Sequence, residues 1–338
     1  MKSYHMTLGA GLQGLVLREH EVPQPGPGEV LLKVHAVSLN FRELMILQQG
    51  RYPLPVKPDV IGLCDGAAEV VQLGAGAHRF ALSDRVVASI FPHWQAGPFT
   101  AQRAAQLGGS LDGMLTEYAV LPQDALVPVP DHLSWEEAAC LPCAGVTAWN
   151  ALTGGLPLQA GQDVLVLGSG GVSPFALQVA KAFGARVIAT SSGEAKARQL
   201  RKLGADAVID RGVVPDWSAE VKRLTGGTGV QHVVEVGGGA TLPQSLQSVA
   251  LGGEIAFVGT AAGGSSLIDA NAVFASGAVL RPVAAGSREQ LAAFARTMAV
   301  NTLRPVIARV FDFEDAPAAL AWYAQGQAVG KTVIRVAS

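Results

Sequence analysis

At 338 residues the chain exceeds the size at which one hydrophobic core usually stops growing, so two domains are expected. Apolar residues make up 49% and charged residues 15%, a balance that excludes a disordered chain. Lys and Arg number 25 against 27 Asp and Glu, with no basic run, so nucleic acid is not an expected partner.

The opening Met1-Lys2-Ser3-Tyr4-His5-Met6 has no apolar segment of the signal type, and Gly or a charge interrupts every apolar stretch before it could span a bilayer. A cytoplasmic location with no membrane partner is expected. Cys64, Cys140 and Cys143 are too few for a disulfide framework and suit a reducing compartment. Short β-branched runs split by Gly and Pro predict strands at 30–34, 66–71, 84–88 and 115–120, with a loop excursion over 92–111. Pro128, Pro130 and Asp131 then mark a boundary. Beyond it strands at 163–167, 186–190, 207–209, 232–236, 254–258 and 278–283 alternate with helices at 176–183, 194–203 and 242–249, the rhythm of βαβ units and a parallel sheet. A helix at 290–299 and a strand at 331–336 are expected to return to the first domain. The fold class is therefore α/β, with a β-rich domain over 1–130, a doubly wound Rossmann sheet over 131–285 and a return segment over 286–338.

The strand at 163–167 runs into Gly168-Ser169-Gly170-Gly171-Val172-Ser173-Pro174 and then a helix, the context a dinucleotide site requires. Gly168 permits the tight turn, Gly170 lets the main chain approach a pyrophosphate, and the helix N-terminus offers unpaired N–H groups and partial positive charge. Ser173 stands where the pattern has its third Gly, so strand and helix are expected to sit slightly further apart. Read without its flanking strand and helix, the same turn is an ordinary tight loop. The second strand ends in Thr190-Ser191-Ser192-Gly193. It lacks the carboxylate that binds the ribose 2′-hydroxyl of NAD. Ser192, Lys196 and Arg211 are candidate partners of a 2′-phosphate, which makes NADP(H) the expected cofactor. As surface residues, Lys196 and Arg211 would simply be solvated. Glu194 is the one nearby carboxylate that would favour the other nucleotide.

Several phrases together resemble the medium-chain dehydrogenase/reductase superfamily: the Gly-Gly-Val turn, Leu141-Pro142-Cys143-Ala144-Gly145-Val146-Thr147-Ala148-Trp149, Ser83-Asp84-Arg85-Val86-Val87 and Gly330-Lys331-Thr332-Val333-Ile334. The resemblance implies a GroES-like β-barrel catalytic domain beside the Rossmann domain. Asn40 falls where zinc members carry their first Cys ligand, and Leu63-Cys64-Asp65 replaces Gly-His-Glu. No metal is therefore expected, although Cys143 falls at the third ligand position and Cys64 with Asp65 could join it. Asn40-Phe41-Arg42-Glu43 and Gly50-Arg51-Tyr52-Pro53 resemble the zinc-independent quinone oxidoreductase and enoyl reductase branch, and the wider phrasing resembles the zinc-type alcohol dehydrogenase-like subgroup. Carried over, Asn40 and Tyr52 are the catalytic candidates. Thr147 would touch the nicotinamide, Gly237 and Gly259 would let the chain pass close to the cofactor, and Lys331 would help to bind it.

Without a Lewis acid, oxidation of a simple alcohol loses its usual electrostatic support. Hydride addition to the β carbon of an enone, enal or quinone instead leaves an oxyanion that hydrogen-bond donors alone can stabilise. Tyr52 would supply the proton; its alternative is a packing aromatic beside Pro53. Phe91 and Trp94 are candidates to line the pocket of a small-molecule substrate, or else a loop cluster with His93. Two rival readings are a zinc-type alcohol dehydrogenase or carbonyl reductase and a non-catalytic NADPH-binding sensor. The resemblance also implies a homodimer through the edge strand near 278–283.

Overall fold

The computed structural model describes residues 1–50, 52–263 and 268–337. They form two compact units, Met1–Val146 with Gly286–Ser338, and Thr147–Ala285. Arg51, inside the Gly50-Arg51-Tyr52-Pro53 phrase, lies outside the described residues.

The first unit opens with β1 (Lys2–Thr7) and β2 (Leu15–Glu19), continues through β3 (Glu29–Ser38), helix α1 (Phe41–Leu44), β4 (Asp59–Ile61), β5 (Asp65–Leu73) and β6 (Arg85–Ala88), and then β7 (Tyr118–Pro122), β8 (Leu126–Pro128) and α2 (Trp135–Ala138). Among the described residues β2-β1-β4 make a small sheet, and a larger one runs β15-β16-β3-β5-β6-β8 with β7 also on β3, its first two members being the return strands β15 (Ile307–Asp312) and β16 (Lys331–Arg335). β3 pairs with β5, β7 and β16, and its near-continuous apolar sequence reflects that central place. The strand expected from residue 115 begins at Tyr118, because residues 113–115 bend away to bond Tyr4, Ile61, Gly62 and Leu63. The unit boundary also falls later than Pro130. Residues 131–146 stay with the first unit, since α2 and the turn after it lie on β3 and β5 and Ser38 Oγ donates to Ala139 O at 3.0 Å.

The second unit opens with α3 (Val146–Thr153), whose first residue belongs to the first unit, and alternates β9 (Asp163–Leu167), α4 (Val172–Ala182), β10 (Arg186–Ser191), α5 (Glu194–Lys202), β11 (Ala207–Asp210), α6 (Trp217–Leu224), β12 (Val230–Glu235), α7 (Leu242–Ser248), β13 (Val249–Phe257), α8 (Ala270–Ser276) and β14 (Val279–Pro282). The strands are parallel in the order β11-β10-β9-β12-β13-β14. The order reverses between β9 and β12, the switch point where doubly wound sheets bind ligands. Leu165, Leu167, Ile188, Val233 and Ile255 from the strands pack with Trp217, Val221, Leu242 and Leu246 from α6 and α7. α4 begins at Val172, directly behind the glycine turn, four residues before the predicted start.

The chain then returns to the first unit as α9 (Arg288–Val300), β15 (Ile307–Asp312), α10 (Ala316–Tyr323) and β16 (Lys331–Arg335). β16 runs antiparallel to β3 with Val333 opposite Ser38, which carries Lys331 to the turn that follows β3.

Candidate active site and cofactor turn

Two local devices bring the polar residues of the first unit together. After β3 the chain stays extended at Asn40 (φ −132°), and Glu43 closes a capping box on α1 by accepting from Asn40 N at 2.7 Å. Between β4 and β5, Leu63 adopts φ +60°, a left-handed conformation costing roughly 1–2 kcal/mol for a residue with a Cβ. Loop 108–115 holds that bend: Met114 N donates to Leu63 O at 2.8 Å, and a Cβ on Gly113 would stand 2.1 Å from the same oxygen. The bend delivers Cys64 and Asp65 beside Ser38 and Asn40, where two π-type helical turns, Met45–Gln49 and Leu141–Gly145, also occur in the chain segments that carry Tyr52 and Cys143.

At the centre Asp65 Oδ2 accepts from Ser38 Oγ (2.6 Å), Asn40 Nδ2 (2.9 Å) and Lys331 Nζ (3.2 Å). Lys331 Nζ also donates to Asn40 Oδ1 at 2.5 Å and Leu39 O at 2.7 Å. Burial alone would lower the Lys331 pKa, but the Asp65 carboxylate together with Cys140, Cys143 and Tyr323 outweighs it and the net shift is upward. A second buried pair adjoins the first. Arg42 Nη1 donates to Glu43 Oε1 at 3.1 Å, Nη2 donates to Gln106 Oε1 and Gly108 O, and the guanidinium lies 5.1 Å from the centre of the Tyr52 ring. Removing one partner from such a buried pair typically costs about 3–5 kcal/mol.

The thiols of Cys64 and Cys143 and a carboxylate oxygen of Asp65 lie within 4.8 Å of one another. Burial, a hydrogen bond with Cys143 and the charge of Asp65 push the Cys64 thiol well up. Burial also raises the Tyr52 hydroxyl, with Arg42 opposing and Cys143 reinforcing the shift. Tyr323, from α10, is influenced by Lys331, Glu43, Cys143 and Asp65, and burial lifts it to about 12.

The sequence-predicted residues divide accordingly. Tyr52 and Cys143 belong to this cluster, and Asn40 is in it but turned inward. Both ends of the Asn40 amide are engaged, so it ties Asp65 to Lys331. Lys331, expected to help bind the cofactor, has its three N–H donors on protein acceptors and a side chain 2% exposed, so here its ammonium is engaged by Asp65, Asn40 and Leu39. Phe91 and Trp94 pack with Phe99 at centroid distances of 4.8–6.0 Å, and the Trp94 indole donates to Gly97 O, so they form an aromatic cluster within their own loop. Arg42, Glu43, Lys331 and Tyr323 act together here, yet no local pattern marked Arg42 or Tyr323.

A zinc ion fits this donor set poorly. Two thiols and one carboxylate match the three protein donors of a catalytic zinc in number but include no imidazole; Asp65 already serves Lys331, and the charge of Arg42 acts on both sulfurs, which opposes a second cation there.

In the second unit Gly168 takes φ +71°, and its N–H donates to Thr190 O at 3.0 Å. A Cβ on Gly170 would meet no atom within 4 Å, so the backbone is open to a ligand at the start of α4. Ser173 does more than replace a glycine: it is buried, and its Oγ donates to Leu167 O at 2.6 Å, joining α4 to the end of β9. At the ends of β10 and β11, Ser191 Oγ and Arg211 Nε are buried without a partner, and Ser192 is exposed. Glu194 pairs with Arg201 at 2.9 Å, which turns its carboxylate along α5. The loop after β12 is organised by the fully buried Glu235, whose carboxylate accepts from the N–H groups of Gly237 and Gly238 and the hydroxyls of Thr241 and Ser245. A Cβ on Gly237 would stand 2.3 Å from Thr241 Oγ1, a packing reason for that glycine. Gly259 N reaches Glu235 O at 3.4 Å, and Thr147 is buried at the start of the unit.

The alcohol dehydrogenase GroES-like domain family matches residues 26–131, and the zinc-binding dehydrogenase family matches residues 171–300. A zinc-type alcohol dehydrogenase-like protein of Schizosaccharomyces pombe is 39% identical, over 97% of this chain and 96% of its own. An acryloyl-coenzyme A reductase of Metallosphaera sedula is 36% identical over 73% of this chain and 74% of its own. Among solved structures, one titled as an NAD-dependent alcohol dehydrogenase shares 33% identity at TM-score 0.89, with full coverage of both chains. A mycobacterial protein solved with NADPH shares 28% identity at TM-score 0.83, covering 99% of this chain and 100% of that one. The chain is an oxidoreductase of the medium-chain dehydrogenase/reductase superfamily, built from a GroES-like unit and a Rossmann unit.

Proposed function

We propose that this enzyme uses NADP(H), without zinc, to reduce small quinones or α,β-unsaturated carbonyl compounds. The observation that carries the reading is the donor set of the first unit, where two buried ion pairs and a high-pKa tyrosine stand in place of a complete metal-ligand set.

Reduced nicotinamide, when bound, supplies the hydride. Backbone N–H groups at Ser169, Gly170, Gly171 and Val172 would hold the pyrophosphate at the start of α4, while Gly168, whose N–H is engaged by Thr190 O, shapes the turn that presents them. The orphaned Ser191 Oγ and Arg211 Nε, with Ser192 and Lys196, favour a 2′-phosphate, and a 2′-hydroxyl meets no free carboxylate because Glu194 is paired. The NAD-dependent neighbour makes this preference a point to measure. On the acceptor, Tyr52 holds its proton until an enolate or phenolate oxygen develops, and Arg42 beneath the ring steadies the charge that its departure leaves. Asn40 positions Asp65 and Lys331 behind it. The similarity to an acryloyl-coenzyme A reductase supports an activated double bond as the target. We further propose that the enzyme is a homodimer.

The test is a substrate screen with NADPH and NADH in parallel on protein of measured metal content. Turnover of enones or naphthoquinones with NADPH, at substoichiometric zinc, is expected. A stoichiometric zinc ion needed for activity, or a preference for saturated alcohols, would overturn the reading in favour of an alcohol dehydrogenase.

A further inference from the structure

We propose that Cys64 and Cys143 are an oxidisable dithiol, which a hydroperoxide converts to an intramolecular disulfide that shuts off the site around Tyr52. The inference rests on the reading of that site given under Proposed function.

The two sulfurs lie within 4.8 Å and are hydrogen-bonded to each other, so disulfide formation needs only a short approach to the bonding distance of about 2.05 Å. Their exposure differs in a useful way. Cys143 is half-buried, whereas Cys64 is fully enclosed, so an oxidant meets Cys143 first and Cys64 is held ready as the resolving thiol. Arg42 interacts with both sulfurs and offsets part of the rise that burial imposes on the Cys64 thiol. Cys140 is excluded. It is buried, donates to Glu136 O at 3.2 Å, and burial lifts its pKa to about 12.

The chemistry balances in two steps. The Cys143 sulfur attacks the hydroperoxide, forming an S–O bond as the O–O bond breaks, and the departing alcohol or water takes the thiol proton. The Cys64 sulfur then attacks the Cys143 sulfenic acid, forming the S–S bond as S–O breaks, and hydroxide leaves with the Cys64 proton as water. The sulfurs together lose two electrons and the hydroperoxide gains them.

The bend at Leu63 is held between Gly108 and Gly113, which fixes Cys64 as the stationary partner in the approach. Cys64 would also lose the thiol hydrogen that it directs at Glu43 Oε1 (3.9 Å) and Asp65 Oδ1 (3.7 Å), disturbing both ion pairs behind Tyr52.

The experiment treats the reduced full-length enzyme with equimolar cumene hydroperoxide, then combines non-reducing peptide mapping with turnover measurements before and after dithiothreitol. A Cys64–Cys143 linked peptide, a loss of turnover of about a hundredfold and recovery of both on reduction are expected. Cys64→Ser should lose the link and carry over-oxidation on Cys143 instead. A Cys140–Cys143 link, over-oxidation of wild-type Cys143 without a link, or a link that leaves turnover unchanged overturns the proposal. If the reduced enzyme turns over none of the acceptors, the reading of function fails, and the peptide map alone then decides the dithiol.

Discussion

Tyr52 keeps its proton for a reason readable from its surroundings. Burial disfavours the phenolate more than Arg42 favours it, so its pKa lies above the ordinary 10. In the proposed mechanism the protonated form is the proton donor. As pH rises the donor is therefore kept through pH 10 and lost only above it, and reduction of a naphthoquinone should show no alkaline decline assignable to Tyr52 below that point. Tyr52→Phe should lower kcat by roughly a hundredfold with little change in melting temperature. An unchanged kcat in steady-state assays would demote Tyr52 to a packing aromatic.

The bend between β4 and β5 is where an element, and not a side chain, sets the chemistry. Leu63 pays for its left-handed conformation through three backbone hydrogen bonds around it, in which Met114 N, Leu115 N and Gly113 N reach Leu63, Gly62 and Ile61. Gly113 has to lack a Cβ, since one would press against the carbonyl oxygens of Leu63 and Gly62 at 2.1 and 2.4 Å. Gly113→Ala is expected to destabilise the protein by more than about 2 kcal/mol in urea unfolding. A smaller loss would mean that the loop yields cheaply and does not fix Cys64. The start of α4 is better served than its sequence suggested, because the Ser173 hydroxyl bonds the end of β9 where a glycine would only have allowed close contact.

At the scale of the whole molecule, the Rossmann sheet ends in β14, which among the described residues pairs only with β13. Around that edge Phe274 is 90% and Leu251 81% exposed, apolar surface of the kind that marks an association site. A second copy meeting this edge would cover them. Sedimentation velocity should find a dimer for the wild type and a shift to monomer for Phe274→Asp with its fold unchanged. A wild-type monomer at micromolar concentration would contradict it.

What the sequence determined by itself was everything governed by short-range periodicity. The β9 strand, its glycine turn and α4 are contiguous, so Gly168, Gly170 and the parallel α/β rhythm could be read from one stretch, as could the missing ligands at Asn40 and Cys64. The sheet β2-β1-β4 went unread because its strands are short and its pairing joins Met6 to Val60 across the chain. Only the tertiary structure decided that Lys331 neutralises Asp65, that Asn40 faces inward between them, and that Cys64 meets Cys143. Local pattern says which residues are buried; which charge or thiol each one meets is set by strand register between distant segments, as where Val333 of β16 lies opposite Ser38 of β3.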